Sequence, residues 1–154
     1  MDKFCDTIER MILVILIAMM TIITVLISIN VVTRYIWHFS ITWNEEITRF
    51  MFIWSVLFGT SLGIKRRNHF NLNIVSNLIS IKYLDLFVSI CILLFSLVMI
   101  IEGFKLATRT FTQLSPSLSI PMGYIYLAIP LTGLFNVIFT INNMLRPLSH
   151  QEEK

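Results

Sequence analysis

Residues 34–69 read RYIWHFSITWNEEITRFMFIWSVLFGTSLGIKRRNH, and this stretch decides the fold. Two adjacent acids and an arginine (Glu45, Glu46, Arg49) stand at the mouth of an apolar run. Small residues recur within the run at four-residue spacing (Ser55, Gly59, Gly63), and it ends in a basic cluster (Lys65, Arg66, Arg67, His69). The uninterrupted apolar part, residues 50–64, is about 23 Å long as a helix. That is short for a hydrocarbon core of about 30 Å, so the helix is expected to begin near Trp43, with its first turns among lipid headgroups. An ionisable side chain in hydrocarbon costs about 2.5–3.5 kcal/mol at a helix centre. Groups kept at such a boundary are expected to have a partner, and here a protein partner fits better than a substrate.

Outward from this stretch the same pattern repeats. The chain has 154 residues, 56% of them hydrophobic and 14% charged, with a mean hydropathy of +0.78. Soluble domains carry about 25% charged residues. Apolar segments near 20 residues recur at 11–32, 43–64, 84–106 and 122–145. The reading is an all-α membrane protein, a single four-helix domain over residues 1–154. Residues 11–32 run on past the apolar length of a signal peptide and lead to no small-residue cleavage site, so they are expected to be a retained span.

Lys and Arg set the expected orientation. Lys3, Arg10, Lys65, Arg66, Arg67, Lys82, Arg146 and Lys154 flank one side, whereas Arg34, Arg49, Lys105 and Arg109 fall on the other. The positive-inside bias then places both termini and the middle loop in the cytoplasm. Lys65, Arg66, Arg67 and His69 form the lipid-facing topology cluster. Behind them Phe70, Leu72, Ile74, Val75, Leu78, Ile79 and Ile81 suggest a short amphipathic cytoplasmic segment between spans two and three. The net charge of +3 therefore reflects topology rather than nucleic-acid binding.

The outer loops are short. Trp37 and Trp43 suit the water–lipid interface, and Ser40 or Thr42 suits the cap of span two, with Glu45 and Glu46 in its first turn. Pro116 and Pro121 make the link before span four rigid rather than helical. Glu45 and Glu46 can each reach Arg49 along the helix, and Arg34 can fold back towards either acid. Removing one member of a buried ion pair costs about 3–5 kcal/mol. The ladder Ser55, Gly59, Gly63 permits a close helix contact. Glu102, Lys105 and Arg109 at the outer end of span three read as interface anchors and as candidates for docking a soluble partner. Pro130, with Gly133 and Asn136 behind it, predicts a kink covered by another helix.

No catalytic constellation emerges. His38, His69 and His150 are scattered, Cys5 and Cys91 lie at different depths, and no phosphate loop or metal-ligand spacing is present. No enzyme, metal or cofactor is expected.

The residues Arg34-Tyr35, Trp43-Asn44-Glu45-Glu46 with Arg49, Trp54 and Gly59, Lys65-Arg66-Arg67 with His69, Ile120-Pro121, Tyr126 and Pro130-Leu131 resemble the small membrane subunit of tripartite ATP-independent periplasmic (TRAP) transporters. The resemblance covers essentially the whole chain. It implies a bacterial inner-membrane complex in which a periplasmic binding protein delivers an organic acid, such as a C4-dicarboxylate or sialic acid. A large subunit of about 12 spans moves the substrate by a sodium-driven elevator motion, and the small subunit braces it and helps receive the binding protein. Two other classes are weighed against it. A self-associating four-helix exporter would carry an acid inside span one, and residues 11–32 have none. A membrane anchor for a redox complex would offer in-span histidines for haem, and all three histidines lie outside the spans.

Overall fold

The computed structural model describes residues 2–36, 38, 39, 41–66 and 81–145. Five helices follow in order: α1 (Asp2–Ile36), α2 (Thr42–Arg66), α3 (Ile81–Thr110), α4 (Gly123–Tyr126) and α5 (Ala128–Leu145). They make four segments long and apolar enough to cross a membrane, the last formed by α4 and α5 together. Span two begins at Thr42, as the shortness of its apolar part requires. The amphipathic segment expected after it, with Arg67 and His69, lies outside the described residues.

The spans do not close into a bundle. α1 packs along α2, α2 along α5, and α5 along α3, so they stand in a row ordered one, two, four, three. Burial agrees with that order: the most apolar window of span four is 44% buried, against 11% for those of spans one and three. α1 runs 35 residues, about 52 Å at 1.5 Å per residue. It therefore projects beyond a 30 Å hydrocarbon layer. Its first turns meet α2 and α5 in an apolar cluster of Cys5, Ile12, Phe58, Leu62 and Phe139, with Trp54, Phe58 and Phe135 in edge-to-face contacts. This end of the row, which also carries Arg66 and Leu145, is the tail end. The opposite end carries the α1–α2 turn and the α3–α4 link and is the loop end.

α3 and α5 approach by a different means. A Cβ at Gly103 would lie 2.8 Å from Ile129 Cγ2 and 2.9 Å from Pro130 Cδ, and one at Gly133 would lie 2.9 Å from the Ser96 carbonyl oxygen. The chain between α4 and α5 is interrupted at Leu127, and Pro130 explains it. The proline has no N–H to return to the carbonyl four residues earlier, and its ring seats against Gly103. The kink is thus covered by a helix, as expected.

The link before α4 is a narrow turn. The Ser115 N–H donates to the Ile120 carbonyl at 3.0 Å and the Met122 N–H to the Gln113 carbonyl at 2.8 Å, pairing Leu114 with Pro121. Ser119 takes φ 53° to close it.

These contacts give opposite expectations for two pairs of glycines. Gly133→Ala drives a methyl into the α3 backbone, and overpacking of this kind costs about 1–3 kcal/mol. Gly59→Ala meets nothing within 4 Å and is expected to stay within about 0.5 kcal/mol of the parent or gain slightly. Unfolding midpoints of the two variants in mixed micelles check the contrast.

Candidate functional site

Neighbouring residues on a helix point about 100° apart, so the twin acids at the start of α2 cannot serve one purpose. Glu46 turns inward. It is 8% exposed, and its Oε2 accepts the backbone N–H groups of Ser117 and Leu118, both at 3.0 Å. A carboxylate held by two such donors makes charge-assisted bonds. Here they latch the first helical hairpin to the turn of the second. The expected bond from Arg34 to one of the acids does not form: Glu46 is engaged by the α3–α4 turn, and Glu45 shares a cavity with Arg34 without pairing to it.

Glu45 turns outward, into a cavity of about 470 Å³ between α1 and α2. Arg34, Arg49, Asn30, Thr48 and Tyr35 stand around it, with Ile23, Leu26, Ile27, Val31 and Phe52 as its apolar wall. None of Arg34, Glu45 and Arg49 is ion-paired with another described residue. Beneath the cavity α1 and α2 are tied by Asn44, which is 2% exposed and whose Nδ2 donates to the Leu26 carbonyl at 2.8 Å.

Farther along α2 the predicted small residues part company. Ser55 is buried, its hydroxyl donating to the Met51 carbonyl at 2.8 Å. Gly59 and Gly63 have open space where a Cβ would sit. With Val56, which is exposed, they form an unoccupied stripe on the same side of α2 as Glu45 and Phe52. Trp43 is half exposed at the helix start. On α3, Lys105 pairs with Glu102 at 2.7 Å, both exposed, and Arg109 is exposed.

At the tail end Lys65 is not a free topology charge. Its Nζ lies 2.6 Å from Asp6 Oδ1 and 2.7 Å from Glu9 Oε2, with 7% of its side chain exposed. Arg66 reaches Glu9 at 3.1 Å. Sequence reasoning missed Asp6 and Glu9, although their three-residue spacing ahead of span one places them on one helix face. Of the in-span amides it noted Asn136 only as a neighbour of the Pro130 kink, and it passed over Asn143. Ser61 donates to Asn136 Oδ1 at 2.7 Å, and Asn143 Nδ2 donates to the Ile64 carbonyl at 2.8 Å. An asparagine inside an apolar run was itself the available signal, since an unsatisfied polar group there is costly.

Two substitutions separate a buried cation from a shared acid. Lys65→Ala removes the buried cation that both acids share and is expected to cost about 3 kcal/mol, the low end for breaking a buried pair because Glu9 keeps Arg66 and the acids keep some water. Asp6→Asn leaves Glu9 in place and alters a half-exposed group (52%), for an expected loss of about 0–1 kcal/mol. A denaturant titration of both variants, completed as a double-mutant cycle, reads the difference.

Comparison with known proteins places this architecture. Residues 22–150 match the family model for the DctQ component of tripartite ATP-independent periplasmic transporters. The chain is 33% identical over 106 residues to the C4-dicarboxylate TRAP transporter small permease protein DctQ of Vibrio cholerae, covering 67% of this chain and 44% of that protein. A putative TRAP transporter small permease protein of Haemophilus influenzae is 24% identical across all of this chain and 91% of its own length. The isethionate TRAP transporter permease protein DctMQ of Oleidesulfovibrio alaskensis is 26% identical over 76% of this chain, a match that occupies 20% of that longer protein. With four apolar helices and these relatives, the chain is a multi-pass protein of the bacterial inner membrane. It belongs to the DctQ family, the small permease subunits of TRAP transporters.

Proposed function

We propose that this chain is the stationary brace of a sodium-coupled, binding-protein-dependent importer of an organic acid, and that it carries no substrate site of its own. The observation that carries the reading is where its polar groups go. Ser61, Asn136, Asn143 and Asn44 are engaged in helix-to-helix bonds, and the charged groups cluster towards the two ends. Transporters place coupling sites near the midplane on broken helices with free backbone groups. Here the break at Leu127 lies on the α5 side that packs against α3, with Pro130 seated on Gly103.

The partner follows from the same surfaces. The DctMQ relative matches this chain over one fifth of its length, which supports a large permease subunit as the neighbour that four-fifths of that polypeptide supplies. The open stripe Val56, Gly59, Gly63 receives a helix of that subunit, since small residues let backbones close up in lipid where packing drives association. Arg34, Trp43, Glu45 and Arg49 border the contact. With both termini in the cytoplasm, as the Lys/Arg distribution favours, the loop end faces the periplasm. The latched turn at Ser117 and Leu118, with Glu102, Lys105 and Arg109, then lies where the binding protein docks. The named substrates of the relatives, a C4-dicarboxylate and isethionate, favour a small organic anion.

Proteoliposomes test the assignment. With an inward sodium gradient, this chain, its large subunit and the binding protein together are expected to take up the acid. Omission of this chain is expected to lower uptake at least tenfold, and this chain alone to give none. Uptake by this chain alone would contradict the brace reading.

A further inference from the structure

The cavity between α1 and α2 is amphiphilic along its depth. Ile27 and Phe52 line it on the side of the span interior, and Asn30, Arg34, Glu45 and Arg49 line it towards the loop end. Asn30 lies six residues before the end of α1 and Arg49 seven after the start of α2, so both sit about 10 Å inside their helix ends. Two guanidinium groups and one carboxylate share the opening without pairing to one another. A second observation points the same way: the Asn30 side-chain oxygen is buried and accepts no hydrogen bond. A buried acceptor left bare is costly, and Asn30 is a lining residue of the cavity, so a turn of its amide presents that oxygen to a donor there.

We propose that this cavity holds the headgroup of one aminophospholipid, its phosphate on Arg34 and Arg49 and its ammonium on Glu45 and the Asn30 carbonyl oxygen, with an acyl chain along Ile27 and Phe52. Arginine pairs with phosphate bidentately and charge-assisted, which accounts for the two cations. The carboxylate between them accounts for a zwitterionic rather than an anionic headgroup. The site is built from this chain alone, so it stands or falls separately from the brace reading. A lipid here fills the splay between the first two spans beside the open stripe of α2 and stiffens the border of the subunit contact.

Native mass spectrometry tests it, on the full chain alone and co-purified with its large subunit, after detergent washing and exchange into phosphatidylethanolamine, phosphatidylcholine or phosphatidylglycerol. One phosphatidylethanolamine is expected to stay on each chain in both preparations, with at least tenfold less phosphatidylcholine, which has no N–H to give. R34Q/R49Q is expected to lose retained lipid at least tenfold. E45Q, with both cations intact, is expected to hold the two zwitterions alike. Equal retention of all three lipids by the parent chain, or unchanged retention by R34Q/R49Q, overturns the proposal. So does a lipid that leaves when the large subunit assembles, which would assign the cavity to a helix of that partner. The parent-chain lipid series decides the matter even if a variant fails to fold, a failure that helicity and elution volume would reveal.

Discussion

A polar group inside hydrocarbon is costly unless it finds a partner within the protein, and this fold makes its polar links between helices through one of them. Among the described residues, the side-chain hydrogen bonds and ion pairs that join different elements all have one end on α2. Asn44 reaches α1, Ser61 and Ile64 meet Asn136 and Asn143 of α5, Glu46 holds the turn before α4, and Lys65 and Arg66 hold the first turns of α1. Each bond removes a desolvation cost that no water could relieve. α2 can be a hub because it is the least apolar of the spans, with a peak hydropathy of 1.5 against 3.0 for the first. It is stabilised in the layer by its neighbours rather than by lipid.

The rest of the arrangement follows from that hub and from how the second hairpin is joined. α3 and α5 are held by close packing at Gly103 and Gly133, where dispersion over a short interhelical distance does the work of hydrogen bonds. α2 bonded on both flanks and α5 packed on its far side give a row. A row exposes two broad faces where a closed bundle would expose only its rim. For an autonomous transporter such a shape offers no enclosed path, but for a brace against a larger moving subunit it offers area and stiffness.

The spans were legible from hydropathy, because about 20 apolar residues in lipid admit few structures other than a helix. Pro130 was legible too, because the loss of an N–H is local. The partners of the charges were not. Glu45 and Glu46 are adjacent in sequence, yet one lines an open cavity and the other caps a turn some 70 residues away, and nothing local encodes which loop returns to that end. The glycines show the same limit. The GxxxG of span two permits a close contact without naming the helix, and within this chain its stripe faces open space, whereas the isolated Gly103 and Gly133 make the tight crossing. A small residue signals permission for approach, and the topology of the row decides where it is used. Lys65 read as a topology charge because the acids that meet it lie ahead of the first apolar run, where they looked like part of a solvated tail.

The central claim is that the four spans stand as a row with α1 and α3 on opposite flanks. Spin labels at Ala18 and Val98, both exposed on those helices, measured by double electron–electron resonance with the chain in lipid nanodiscs, address it directly. Three interhelical steps of about 8–10 Å separate the flanking helices in a row, so a distribution centred beyond about 20 Å is expected. A distribution centred below about 15 Å, as neighbours or diagonals of a closed four-helix bundle would give, would contradict the row and the brace built on it.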